Sequence, residues 1–222
     1  MKRFVILIAI LFSCKMTSQS LKKGFTYLSE IDSTIQSELR YITSNNFIGK
    51  PIDGYINNKV IVTTKTAFAL KKVQTKLLQF GLSLKIYDAY RPQQSVDHFV
   101  RWAKVLSDTI MKKQYYPQLA KKDLFKLDYI ASKSGHTRGS TVDLTIIDVN
   151  SGEELDMGSS YDFFGTPSHP FYSQLTKKQK SNRLLLRNLM LEAGFKPYAK
   201  EWWHFSLKKE TFPNTYFNFM IK

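Results

Sequence analysis

Segments with a helical repeat and segments with a strand repeat are mixed along this chain without falling into a regular β-α-β alternation. That order limits the fold more than any other feature. Residues 64–80 carry Ala67, Leu70, Val73, Leu77 and Phe80 at helical spacing and stop at Gly81. Residues 82–87 alternate and predict a strand. Residues 93–113 predict a second helix with Val96, Phe99, Ala103, Leu106 and Ile110 on one face. Residues 142–146 predict a strand opened by a Gly-Ser turn, 177–192 a third helix closed by Gly194, and 202–207 a late strand. The pattern implies a single α+β domain with helices packed on a small, mostly antiparallel sheet. At 222 residues, 43% hydrophobic and 14% aromatic, the chain can bury a real core and is globular in composition.

The domain is expected to span residues 21–222, because residues 1–20 have the pattern of an export signal. Met1-Lys2-Arg3 is a short positive start, and residues 4–12 form an unbroken apolar run too short to span a bilayer. Leu11-Phe12-Ser13-Cys14 then resembles a bacterial lipobox, with Phe12 atypical for its place. Either Cys14 becomes a lipidated first residue that anchors the protein to a membrane, or cleavage falls a few residues later, near Ser18-Gln19-Ser20. Both readings put the protein in the periplasm or cell envelope. Cys14 is the only cysteine, so the mature domain has no disulfide and any metal site must use His, Asp and Glu.

A formal net charge of +15 invites a nucleic-acid reading. The lysines, however, are scattered as short pairs such as Lys71-Lys72, Lys112-Lys113 and Lys177-Lys178, which read as solvated surface. No nucleic-acid partner is expected. Attraction to an anionic envelope surface is the expected consequence of the charge.

Two histidine segments carry the chemistry. His136 lies in a polar, glycine-containing stretch ahead of a strand, and alternation turns Asp143 to the face opposite Val142 and Leu144. His204 lies among bulky residues near the end of the chain. Two imidazoles and a carboxylate suit a zinc ion and leave a fourth position for water. The same residues also fit a buried Asp143 held by backbone hydrogen bonds and two unrelated histidines. Glu201 reaches the same place only if the strand begins or bends there. A carboxylate so placed can take a proton from a water made acidic by the metal, whose pKa falls toward ~7. The alternative for Glu201 is an exposed pair with Lys200. Arg91, in Asp88-Ala89-Tyr90-Arg91-Pro92, is held at a strand end by the proline and can aim at a developing oxyanion or a substrate carboxylate. The alternative is a surface salt bridge.

Taken together, Tyr90-Arg91-Pro92, Ser134-x-His136-x-x-Gly139-x-x-x-Asp143 and Glu201-Trp202-Trp203-His204 resemble the VanX-like D-alanyl-D-alanine dipeptidases. These are related to zinc D,D-carboxypeptidases and the hedgehog-type fold. The likeness covers nearly the whole mature chain, from Leu39-Arg40-Tyr41 through Asn46-Phe47-x-Gly49 to Leu155-Asp156-Met157-Gly158. It implies one zinc per chain on His136, Asp143 and His204, with Glu201 as catalytic base and Arg91 stabilising the tetrahedral intermediate. It implies that Ser134, Asp162 and Tyr41 bind the amino end of a D-Ala-D-Ala dipeptide. The paired Trp202-Trp203 is similar to the dipeptidase branch; the alternative is a D,D-carboxypeptidase or endopeptidase acting on peptidoglycan stem peptides. Thr141 departs from the family's usual alanine, and its hydroxyl is expected beside the ligand set. His98 is expected to cap or pack, and His169 to line the mouth of the site.

Overall fold

The computed structural model describes residues 21–222. The expected export signal, Cys14 included, lies outside the described residues. Seven strands and five α-helices follow in the order β1 (Phe25–Tyr27), α1 (Leu28–Ile31), β2 (Gln36–Ser37), β3 (Ile61–Thr63), α2 (Thr64–Leu78), β4 (Leu82–Asp88), α3 (Gln93–Lys104), α4 (Lys112–Tyr115), β5 (Thr141–Asp148), α5 (Lys177–Glu192), β6 (Phe195–Pro197) and β7 (His204–Leu207). The main sheet has the order β2-β4-β5-β7-β6 and is antiparallel except for the β2–β4 pair, while β1 and β3 form a separate two-stranded ribbon. The expected α+β architecture is what the chain adopts. No helix among the described residues is long and apolar enough to cross a membrane.

Helix α2 follows the predicted stripe, burying Ala67, Leu70, Val73 and Leu77. It stops two residues early, however, and Phe80 stands 77% exposed beyond it. Gly81 takes φ +67°, a left-handed conformation that costs glycine little, and so turns the chain into β4. Helix α5 matches its predicted bounds because its ends are chemically marked. Thr176 and Gln179 form a reciprocal capping box, and Gly194 follows at φ +93°.

Helix α3 is shorter than predicted. Val96, Phe99 and Ala103 are buried as expected, but Leu106 and Ile110 are exposed. The helical period continues past Lys104, yet the helix does not. Beyond it, Lys121 Nζ donates to the carbonyls of Val105 (2.8 Å) and Asp108 (2.6 Å) and lies 3.8 Å from the Trp102 ring centre. A lysine from a later turn thus satisfies carbonyls that a continued helix would have paired within itself. The late strand is also shorter than predicted, because Trp202 and Trp203 lie in the turn that precedes β7.

The sheet separates two apolar clusters. Leu84, Ile86, Val142, Leu144 and Ile146 project from β4 and β5 toward Leu70, Val73 and Leu77 of α2 and Leu186 and Met190 of α5. A second, aromatic cluster surrounds α3 and includes Phe25, Tyr41, Phe47, Tyr90, Phe99 and Trp102. The C-terminal segment closes this second cluster, with Phe219 stacked on Tyr90 at 4.1 Å between ring centres. Strand β5 is buried along almost its whole length. Its alternation therefore sorts apolar groups toward the helices and polar groups toward the other face, as in strands covered on both sides.

Candidate metal centre and active site

Strands β5 and β7 are paired so that Asp143 stands directly opposite His204. His136 is brought to them by a single 3-10 turn, Gly135–Arg138, just ahead of β5. The Ser134 hydroxyl caps that turn by accepting the His136 backbone N–H at 3.2 Å. Gly139 ends the turn at φ +75°, and a Cβ there would lie 2.2 Å from the Phe25 ring, so only glycine fits.

The three side chains converge. His136 Nε2 lies 3.2 Å from Asp143 Oδ2, His204 Nδ1 lies 3.0 Å from Asp143 Oδ1, and the two ring nitrogens are 3.3 Å apart. His136 Nδ1 donates to the Ala89 carbonyl at 2.8 Å, which leaves the Nε2 lone pair facing the cluster. Asp143 Oδ1 is buried and accepts no hydrogen bond. Burial opposes the charge on Asp143, yet the His136 and His204 rings hold its carboxyl below the usual carboxylate range. Lone pairs drawn together around a buried carboxylate oxygen that accepts no hydrogen bond fit a metal ion.

Glu201 sits in the bend before β7, where its carboxylate comes 3.4 Å from His204 Nδ1. The bend that the sequence reading required is present, and the Lys200 pairing is not: Lys200 binds Asp128 at 3.0 Å instead. Burial pushes the Glu201 carboxyl up to about 7, with the nearby Asp143 charge adding to the effect and His204 opposing it.

Arg91 is half-buried in the site and not a surface ion pair. Its Nε and Nη2 both bond Asp88 Oδ2, at 2.9 and 2.8 Å, and Nη2 lies 3.8 Å from Asp143. Asp88 is a residue the sequence reading missed, although it stands three positions before Arg91 in the same motif. An irregularity between Ile86 and Asp88 breaks the β4 register and sets Asp88 opposite Asp143. Tyr55 donates to Asp88 Oδ1 at 2.6 Å, completing a rigid seat for the guanidinium.

Asp162 lies on the loop between β5 and α5. It adopts φ +60°, a conformation that aspartate tolerates better than most residues. Its buried carboxylate accepts one bond, from the Tyr41 hydroxyl at 2.8 Å. Burial, reinforced by Asp143, pushes the Asp162 carboxyl well above the usual range. The loop is tied down by Arg183 of α5, another residue the sequence reading missed. Its guanidinium donates to the carbonyls of Met157 (2.5 Å), His169 (2.7 Å) and Pro167 (2.8 Å).

Arg91, Ser134, His136, Asp143, Asp162, Glu201, His204 and Tyr41 all line one cavity of about 270 Å³. That volume is on the scale of a small ligand. Two expectations fail here. His169 is not among the residues lining this cavity; its carbonyl serves Arg183. His98, as expected, makes a local contact away from the site, accepting the Asp53 backbone N–H at 3.2 Å. Thr141 has no contact with the ligand set: its hydroxyl pairs with Ser206 at 2.7 Å, its cross-strand neighbour.

A convergent His-Asp-His set, a neighbouring carboxylate with a raised pKa and a small cavity define a metallopeptidase. The family model described as D-Ala-D-Ala dipeptidase, within peptidase family M15, matches residues 21–222, and the chain belongs to this family. It is similar to the D-alanyl-D-alanine dipeptidases of Enterococcus faecalis and Streptomyces coelicolor. The first is 40% identical over 201 residues, 90% of this chain and 100% of the relative. The second is 39% identical over 197 residues, 89% and 98% respectively.

Proposed function

We propose that this chain hydrolyses the free dipeptide D-Ala-D-Ala with one zinc ion held by His136, Asp143 and His204. The observation that carries the reading is the buried Asp162 carboxylate in the same cavity as the ligand set, with Tyr41 as its one hydrogen-bond donor. A dipeptide presents an ammonium within two residues of the scissile bond, and a buried ammonium needs an anionic partner. The aspartate supplies it, since a cation beside the carboxyl favours the ionised form that burial alone opposes, and Ser134 and Tyr41 frame the same end.

A zinc ion on the three ligands supplies Lewis acidity to the scissile carbonyl and the attacking water. Glu201 accepts the proton of that water and returns it to the leaving amine; its elevated pKa suits both transfers near neutral pH. Arg91, fixed by Asp88, donates to the carbonyl oxygen as negative charge develops there. Asp162 and Tyr41 fix the ammonium and set the distance to the peptide bond.

The protein is exported on this reading and acts in the cell envelope, with Cys14 a candidate lipid anchor. That location suits turnover of wall fragments or use of the dipeptide as a nutrient. The test is to incubate purified protein with D-Ala-D-Ala and with a stem pentapeptide, each with and without chelator. Chelator-sensitive release of D-alanine from the dipeptide alone supports the reading. Cleavage of the pentapeptide at an equal rate overturns it in favour of a D,D-carboxypeptidase.

A further inference from the structure

Two buried phenols stand between the ligand set and the ammonium subsite, and the function proposed above uses only one of them. Tyr161 Oη lies 3.2 Å from Asp143 Oδ2 and 3.2 Å from Tyr41 Oη, while Tyr41 Oη donates to Asp162 Oδ2 at 2.8 Å. The chain Asp143–Tyr161–Tyr41–Asp162 is thus continuous, and both rings are almost fully buried.

Counting protons shows that the chain has two settings. Each phenol has one proton to give. That of Tyr41 is committed to Asp162, so Tyr41 can only accept from Tyr161. The Tyr161 proton has two acceptors at equal distance, the metal-facing carboxylate and the Tyr41 oxygen. A cation on Asp143 draws off its electron density and makes it the poorer acceptor, which turns the Tyr161 hydroxyl toward Tyr41. Two donors in series then favour the ionised form of Asp162, the form that burial opposes and that the ammonium needs.

We propose that the Tyr161 hydroxyl is a positioning group that couples the two halves of the site, so that metal on Asp143 strengthens the hold of Asp162 on the substrate ammonium. By thermodynamic reciprocity, the bound ammonium strengthens the hold on the metal by the same factor. The inference rests on the dipeptidase reading for the identity of the ammonium.

Tyr161→Phe removes the hydroxyl and leaves the ring, which stacks on Tyr87 at 4.6 Å and meets the edge of Trp203 at 5.5 Å. Loss of one internal hydrogen bond should raise KM for D-Ala-D-Ala about 3–10-fold and leave kcat within about twofold, since Glu201 and Arg91 are untouched. The decisive measurement is zinc affinity by dye competition in a Glu201→Gln background, where turnover is slow enough for D-Ala-D-Ala itself to serve as the ligand. Saturating dipeptide should tighten zinc about 3–10-fold more when residue 161 is Tyr than when it is Phe. Should Tyr161→Phe fold poorly, Tyr41→Phe breaks the next link and must abolish the same excess. Equal tightening with and without the Tyr161 hydroxyl, in a protein whose wild type hydrolyses the dipeptide, overturns the coupling alone. A wild type that neither hydrolyses nor binds the dipeptide overturns the functional reading instead.

Discussion

Replacing Asp162 by Asn tests the substrate assignment with the least disturbance. Asn has nearly the same shape, tolerates the φ of +60° found there, and can still accept the Tyr41 hydroxyl. What it loses is the charge. A hydrogen bond to a charged group contributes about 1.5–3 kcal/mol, and leaving a buried charge without its partner costs about 3–5 kcal/mol. Asp162 is only 7% exposed, so solvent cannot restore the missing contact. The expected fall in kcat/KM for D-Ala-D-Ala is therefore about 10²–10³-fold, one decade for each 1.4 kcal/mol. The assay is D-alanine release from D-Ala-D-Ala and from its N-acetyl derivative, with thermal melting as a control for folding. Wild type should cleave the blocked dipeptide at least about 100-fold more slowly than the free one. Asp162→Asn should narrow that gap, because the blocked amine no longer forfeits an ion pair. A variant with wild-type kcat/KM on the free dipeptide, or with an unchanged gap, refutes the reasoning and leaves Asp162 as a turn residue.

Glu201→Gln should retain zinc by metal analysis and lose about 10²–10⁴-fold in turnover, because proton transfer is removed while the ligand set stays. The base must be ionised to accept a proton, so wild-type kcat/KM should rise with pH through a midpoint at or below about 7, lowered further by the metal charge. That limb should vanish in the variant's residual activity. Arg183→Met leaves three buried carbonyls without their donor, at about 1–3 kcal/mol for each that water does not reach; melting should occur several degrees lower and KM should rise as the Asp162 loop loosens. Cys14→Ala should release an envelope-bound protein into the soluble fraction if Cys14 carries a lipid, and an intact Met1 in a cytosolic fraction would refute export altogether.

Much of this structure could be read where the information is local. The stop of α2 at Gly81, the bounds of α5 between Thr176 and Gly194, and the polar face of β5 all follow from residues within a few positions. The convergence of the candidate site was legible for the same reason, since His136 and Asp143 share one turn-and-strand unit and Glu201 and His204 another. What escaped depended on contacts made across the fold. The period of α3 runs on through Leu106 and Ile110, but a lysine from a later turn takes the carbonyls beyond Lys104. Asp88 gains its role from a break in strand register, and Arg183 acts on a loop 14 to 26 residues before it in the chain. Thr141 was placed on the correct face, but the neighbouring strand supplied Ser206 as its partner.

The register that sets Asp143 against His204 also fixes when the metal centre can come into being. His136 and Asp143 arrive together, but His204 belongs to a strand near the end of the sequence and reaches them only after β7 has zipped onto β5. Pairings between residues so far apart in sequence close late, once the intervening chain has collapsed. A partly synthesised chain therefore holds two of the proposed ligands and no third. On the proposed assignment metal capture is a final event, performed by a domain whose sheet is already assembled, and the ion would cross-link the two strands that made its site.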